Sequence, residues 1–207
     1  MHQINWGIIG SGSIANAFSY SIQAATNSKL TSIFGRNPKK VDAFADKFHI
    51  DAHHQLDDFI SSEEIDAIYV ATPHSEHFFY ALEAIKNGKH VLCEKPFTMN
   101  AYESMILLDL ANAKNIFLME AFMYRTHPQT RNILDNLHFL SDAKSKIMIE
   151  ASFGFKADVL ATHRLRNPEL GGGAILDVGC YPLTMAKLIA GQLQGQAFAE
   201  PKSLLAT

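Results

Sequence analysis

The chain has 207 residues, 47% of them hydrophobic and 19% charged, which sets the expectation of a globular protein with one large domain, or one complete domain and part of a second. A net charge of −3 offers no polyanion-binding surface, so nucleic acid is not the expected partner. No stretch of about 18 residues reads as unbroken apolar sequence, the opening MHQINWGIIG has no basic leader, and two cysteines, Cys93 and Cys180, make no disulfide framework; the expectation is a cytoplasmic protein without membrane span or signal peptide.

Along the first 120 residues, short apolar runs alternate with segments of helical spacing. The runs Trp6–Ile9, Leu30–Phe34, Ala67–Val70, His90–Cys93 and Ile116–Met119 read as strands. Residues 39–48 carry Val41, Phe44, Ala45 and Phe48, the i, i+3, i+4, i+7 stripe of an amphipathic helix, with Pro38 suited to its first turn. Residues 75–87 predict a second helix stopped by Gly88, and 101–113 a third, N-capped by Asn100 with Glu103 three residues on. Apolar strands alternating with helices imply an α/β fold, a doubly wound parallel sheet covered on both faces. After residue 120 the pattern changes. A short helical piece at about 129–140 precedes a strand-like run, Lys146–Phe155, then a glycine turn at Gly171–Gly173 and a helix over roughly Asp177–Ala190.

The segment NWGIIGSGSIANAF sets Gly10-Ser11-Gly12-Ser13-Ile14-Ala15 directly after the first strand, a G-x-G-x-x-A turn. Gly10 permits the tight turn, Gly12 lets backbone approach a pyrophosphate, and Ala15 lets the helix pack close to the strand, with the pyrophosphate on the positive helix end. Following a strand and opening a helix, this is the context that a dinucleotide site requires. The second strand then bears on which dinucleotide. NAD sites place Asp or Glu near its end to hold the ribose 2′-hydroxyl. Here the strand runs into SIFGRNPKK, with no acid at that point and Arg36 in its place, followed by Lys39 and Lys40. An arginine can pair with a 2′-phosphate and stack on adenine, so NADP is expected ahead of NAD. A solvated basic loop is the plainer reading of the same residues.

Five motifs then follow in order: GIIGSGSIA (7–15), YVATPHSEH (69–77), CEKPFTMN (93–100), FLMEAFMYR (117–125) and RNPELGGGAILDVGCYP (166–182). Together they resemble the Gfo/Idh/MocA oxidoreductase family, and within it the branch of glucose–fructose oxidoreductase, NADP-dependent sugar 1-dehydrogenase and dimeric dihydrodiol dehydrogenase. The resemblance implies a Rossmann domain at 1–121 followed by a substrate and dimerisation domain, an α/β unit with a mostly antiparallel sheet, of which 122–207 supply a part. It implies a homodimer when that second domain is complete.

In a parallel sheet, ligands bind beyond the carboxyl ends of the strands, where VATPH and LCEKP both lie. The resemblance sets the turn of Ala71, Thr72, Pro73, His74 and His77 against the dinucleotide. His74 and His77 also read as plain polar residues opening a helix, and no carboxylate set accompanies them, so no metal site is expected. Lys95 is the expected catalytic residue. Beside a dinucleotide, its positive charge can hydrogen-bond a substrate oxygen and stabilise a developing alkoxide; alone, it reads as an ordinary surface lysine. The resemblance implies this role and a cis Lys95–Pro96 bond, and Glu94 is expected on the cofactor side. Asp177 and Tyr181, spaced i, i+4, share a helix face. Tyr181 is the candidate proton donor and acceptor, a phenol that needs a nearby cation to work near neutral pH, and Asp177 is expected to orient the substrate or Lys95. Without the other motifs the pair reads as a helix-start Asp beside a half-buried Tyr. His163 and Arg164 precede the glycine turn as candidate pocket residues.

The function these residues imply is an NADP-dependent oxidoreductase that moves a hydride between nicotinamide and a hydroxyl-bearing carbon of a sugar, polyol or dihydrodiol. Two alternatives stand beside it: a truncated dinucleotide-binding protein without catalysis, and an NAD-dependent inositol-type dehydrogenase, against which Arg36 and Tyr181 both speak.

Overall fold

A computed structural model describes residues 3–140 and 147–205. Two compact units emerge: Met1–Ala121 with Glu169–Gly171, and Phe122–Pro168 with Gly172–Thr207.

The first unit is a six-stranded sheet in the order β3-β2-β1-β4-β5-β6. Its strands are β1 (Ile4–Ile9), β2 (Ser28–Phe34), β3 (Asp51–His53), β4 (Ala67–Val70), β5 (His90–Cys93) and β6 (Leu118–Glu120), and every pairing is parallel. The helices α1 (Ser13–Gln23), α2 (Pro38–Phe48), α3 (Leu56–Ile60), α4 (His77–Lys86) and α5 (Ala101–Lys114) connect them. The two-residue alternation of a strand divides their side chains between two cores. Ile8, Ile33 and Tyr69 pack with Ala15 and Ile22 of α1 and with Val41, Phe44 and Phe48 of α2. Ile9, Ile68, Val70 and Val91 face the other way, onto Phe59, Tyr80, Ala84, Ile85 and Leu107. This is the doubly wound architecture that the alternating pattern implies.

Two helix starts form as their residues dictate. Asn37 accepts from the Lys40 amide at the head of α2, with Pro38 at its first position. Asn100 accepts from the Glu103 amide while Glu103 reaches back to Asn100 Nδ2 and to the Met99 amide, a reciprocal cap on α5.

Within the second unit lie α6 (Met123–Thr126), α7 (Pro128–Asn136) and α8 (Cys180–Leu193), with a π-turn over Ile175–Gly179 leading into α8. The strand-like run Lys146–Phe155 is corrected by the structure. Lys146 lies outside the described residues, and 147–155 carry no strand. A strand needs a neighbour for its amides and carbonyls, and the described residues of this unit contain none. The stretch leaves Met148, Phe153 and Phe155 exposed. Among the described residues one stretch, Pro168–Leu193, 26 residues, is long and apolar enough to cross a membrane by length and composition alone, a test that core helices of soluble proteins also meet.

Candidate functional site

The order of strands reverses between β1 and β4, and the loops leaving these two strands make the crevice where doubly wound sheets take their ligands. Gly10 leaves β1 with φ +107° and its amide bonded to Phe34 O of β2. A Cβ on Gly10 would stand 2.6 Å from the Ala71 carbonyl oxygen beyond β4. The backbone conformation and this close approach both demand glycine. Gly10→Ala is therefore expected to cost about 3 kcal/mol, read as a lowered midpoint in urea denaturation.

Gly12 is different, because a Cβ there would meet no protein atom within 4 Å. It sits at the N-cap of α1, where no side chain caps the helix and no acid occupies the first turn. The positive end of α1, carrying Ser13 and Ile14, thus points its amides past an open backbone. Across the crevice, Thr72 Oγ1 is buried without a hydrogen-bonding partner among the described residues. An open helix start, a space beside Gly12 and an unmatched hydroxyl fit a dinucleotide whose phosphates lie on α1. Arg36, just beyond β2, is 68% exposed and ion-paired through Nη1 to Glu76 Oε1 at 2.6 Å. Glu76 ends the short 3₁₀ turn His74–Glu76 that follows β4.

The Glu94-Lys95-Pro96 segment leaves β5 with the ladder extended by one bond, Glu94 N to Val70 O at 2.9 Å. The Lys95–Pro96 peptide is cis. The phenol of Tyr69 donates to Glu94 Oε1, and Tyr69 in turn stacks on Phe18 of α1 at 4.0 Å between centroids. Glu94 Oε2 accepts from the Lys95 amide at 3.3 Å. Beyond the proline, the Phe97 amide donates to Glu120 Oε1 of β6 at 2.8 Å. His77 is wholly inaccessible, with Nδ1 2.7 Å from Pro96 O and Nε2 3.0 Å from Thr72 O. Burial lowers its pKa to about 4 against the pull of these two carbonyls; the positive charges of His74 and Lys95 add to the lowering.

His77, expected against the dinucleotide, is placed by the structure inside the protein. Its ring has no exposed surface, and both nitrogens face main-chain oxygens, so it links the turn after β4 to the turn after β5. His74 is also buried, with Nδ1 2.9 Å from Gly171 O. Sequence reasoning missed Glu76, Tyr69 and Glu120 as partners of its site residues. All three lie inside or beside the motifs quoted for the family, which was the available signal.

Asp177 and Tyr181 belong to the second unit, Lys95 to the first. Asp177 lies in the π-turn, buried, with Arg164 Nη1 3.5 Å from its Oδ1. π-turns of this kind recur at functional sites. The Tyr181 ring lies edge-on to Phe122 at 5.2 Å and close to Phe153 and Tyr124 at 5.3 and 6.0 Å. Among the described residues, no group of three or more His, Cys, Asp or Glu could hold a metal ion.

Fold and crevice define a Rossmann-type nucleotide-binding protein. Residues 4–122 match the model of the oxidoreductase family with an NAD-binding Rossmann fold, GFO_IDH_MocA, and the chain belongs to this family. It is 30% identical to D-xylose 1-dehydrogenase (NADP(+)) of Hypocrea jecorina, an alignment covering 100% of this chain and 58% of that protein. It is 34% identical to trans-1,2-dihydrobenzene-1,2-diol dehydrogenase of Xenopus tropicalis, covering 89% of this chain and 56% of that one. A 3-ketoreductase from Actinomadura kijaniata, crystallised with NADP and TDP-benzene, superposes with a TM-score of 0.76 at 26% identity, covering 92% of this chain and 58% of that structure. The chain thus spans less than two thirds of the relatives it matches.

Proposed function

We propose that this chain carries the NADP site and the proton-handling residues of a dehydrogenase acting on a CH–OH group of a sugar, polyol or dihydrodiol. The observation that carries the reading is the crevice between β1 and β4, with an uncapped α1 start, open space beside Gly12 and Arg36 where a 2′-phosphate would fall. A relative named as D-xylose 1-dehydrogenase (NADP(+)) supports the cofactor, and it and a relative named as trans-1,2-dihydrobenzene-1,2-diol dehydrogenase support the substrate class.

The bound dinucleotide supplies the hydride acceptor and donor. Gly10, Ser11, Gly12, Ser13 and Ile14 hold its phosphates through α1, Arg36 holds the 2′-phosphate, and Ala71, Thr72, Pro73, His74 and Glu94 line its path. Lys95 donates a hydrogen bond to the substrate oxygen and stabilises the charge that grows there as its proton leaves. Tyr181 takes or returns that proton, and Asp177 orients the substrate. Residues 1–121 form the nucleotide domain and 122–207 part of a substrate and dimerisation domain. The protein acts in the cytoplasm, as a homodimer when its second domain is complete, without nucleic acid or membrane partners.

The test is a dehydrogenase screen with NADP against aldoses, polyols and dihydrodiols, joined to titration of both nucleotides against the fluorescence of Trp6, whose ring lies edge-on to Phe18 of α1. Turnover with NADP and tighter NADP than NAD binding are expected. Tighter NAD binding overturns the cofactor assignment; nucleotide binding with no turnover on any panel member overturns the dehydrogenase.

A further inference from the structure

The residue facing Arg36 is an acid that the second strand lacks. Glu76 arrives from the turn after β4, 40 positions along the chain, and sets Oε1 2.6 Å from the guanidinium. The two partners are unlike. Arg36 is largely in water, whereas Glu76 is only 18% exposed, and its Oε2 is buried with no partner among the described residues. The carboxylate is therefore the buried half of the pair and the arginine the exposed half. Burial raises the pKa of Glu76, and Arg36 opposes that rise. Burial also raises the pKa of the Tyr80 phenol one turn further on, and the Glu76 charge adds to it.

Arg36 is the group that the proposed function assigns to the 2′-phosphate, and the inference rests on that reading. A phosphate that pairs with Arg36 must share the guanidinium with a fixed negative charge. A 2′-hydroxyl meets no such opposition. We propose that Glu76 determines cofactor selectivity, its charge weakening the hold of Arg36 on the NADP 2′-phosphate and so narrowing the preference for NADP over NAD. An acid is absent from the end of β2, but one reaches Arg36 from the turn after β4. The site is thereby tempered toward use of both nucleotides.

Glu76→Gln separates charge from shape, because the amide oxygen still accepts from Arg36. The variant is expected to bind NADP roughly three- to tenfold more tightly, the effect of removing one partly screened charge at ion-pair range. NAD binding should stay within about twofold of the parent. The NADP gain should shrink as salt rises from low to about 0.5 M. Arg36→Ala runs alongside, with Trp6 fluorescence as the readout for both nucleotides. NADP affinity unchanged or weakened in Glu76→Gln, while Arg36→Ala still loses NADP, overturns this inference and leaves the proposed function standing. Unchanged NADP affinity in Arg36→Ala overturns the assignment of Arg36 itself, and the inference with it.

Discussion

Replacing Lys95 by alanine is expected to lower kcat by about a thousandfold while NADP still binds. The magnitude is that of losing a positioned proton-transfer or charge-stabilising group. The residue stands two positions beyond Cys93, the last residue of β5, so its place is set by the sheet and not by a loose loop. The backbone on either side of it is tied down: Glu94 N bonds to Val70 O, the Lys95 amide to the Glu94 carboxylate, and the Phe97 amide to Glu120. None of these three bonds uses the lysine side chain, so alanine removes the ammonium while they remain. Nucleotide affinity, followed through Trp6, should change by less than about threefold, because the proposed phosphate end of the site lies on α1 and Arg36 instead. Lys95→Arg keeps the charge but replaces a compact ammonium with a planar fork, and should recover little of the rate. Full turnover in Lys95→Ala sinks the catalytic assignment. Loss of nucleotide binding alongside turnover would instead place Lys95 in the cofactor's grip.

Much of this framework is legible in the sequence, because the features that build it are periodic. Five apolar runs mark strands, and the i, i+3, i+4, i+7 stripe of Val41, Phe44, Ala45 and Phe48 is the buried face of α2. The strand β3 is not legible: Asp51-Ala52-His53 is short, polar and at the sheet edge, where no apolar demand acts on it. The run 147–155 errs in the opposite direction. Its composition suits a strand, but composition cannot supply the neighbour that a strand must bond. The site divides in the same way. Residues whose role follows from local chain geometry, such as Gly10 at its positive φ, can be read one by one. Pairings across the sheet cannot. Arg36 is conspicuous as a missing acid, yet nothing in SIFGRNPKK announces Glu76. The partnership of Tyr69 with Glu94, and of Glu120 with Phe97, likewise depends on strand register.

His77 is the place where register and chemistry meet, and the largest stability effect is expected there. A neutral imidazole has one N–H, but the ring faces two carbonyl oxygens, Pro96 O and Thr72 O. Those oxygens favour the doubly protonated ring. Burial opposes it more strongly, and the charge of Lys95 adds to the opposition, so the ring stays neutral down to about pH 4. An unfolded histidine takes its proton near pH 6.5. Between these two values the unfolded chain holds more protons than the folded one, so stability falls as pH falls. The loss begins below about pH 6.5 and is complete near pH 4, on the order of 3 kcal/mol from this one group. His77→Ala should cost at least as much at pH 7.5, since it empties a buried site and strands the two carbonyls. His77→Gln, with an amide N–H that can reach one carbonyl, should cost less and should lose the acid slope altogether. Urea denaturation of the parent and both variants between pH 4 and 7.5 measures all three quantities. A parent whose stability is flat over that range, or a glutamine variant that keeps the parent's slope, removes His77 as the titrating group. The same variants report on function. The bond to Pro96 O holds the Pro96–Phe97 peptide, one residue beyond Lys95, so His77→Gln should lower kcat more than it raises KM for NADP, the mark of a residue that positions the lysine without touching the nucleotide.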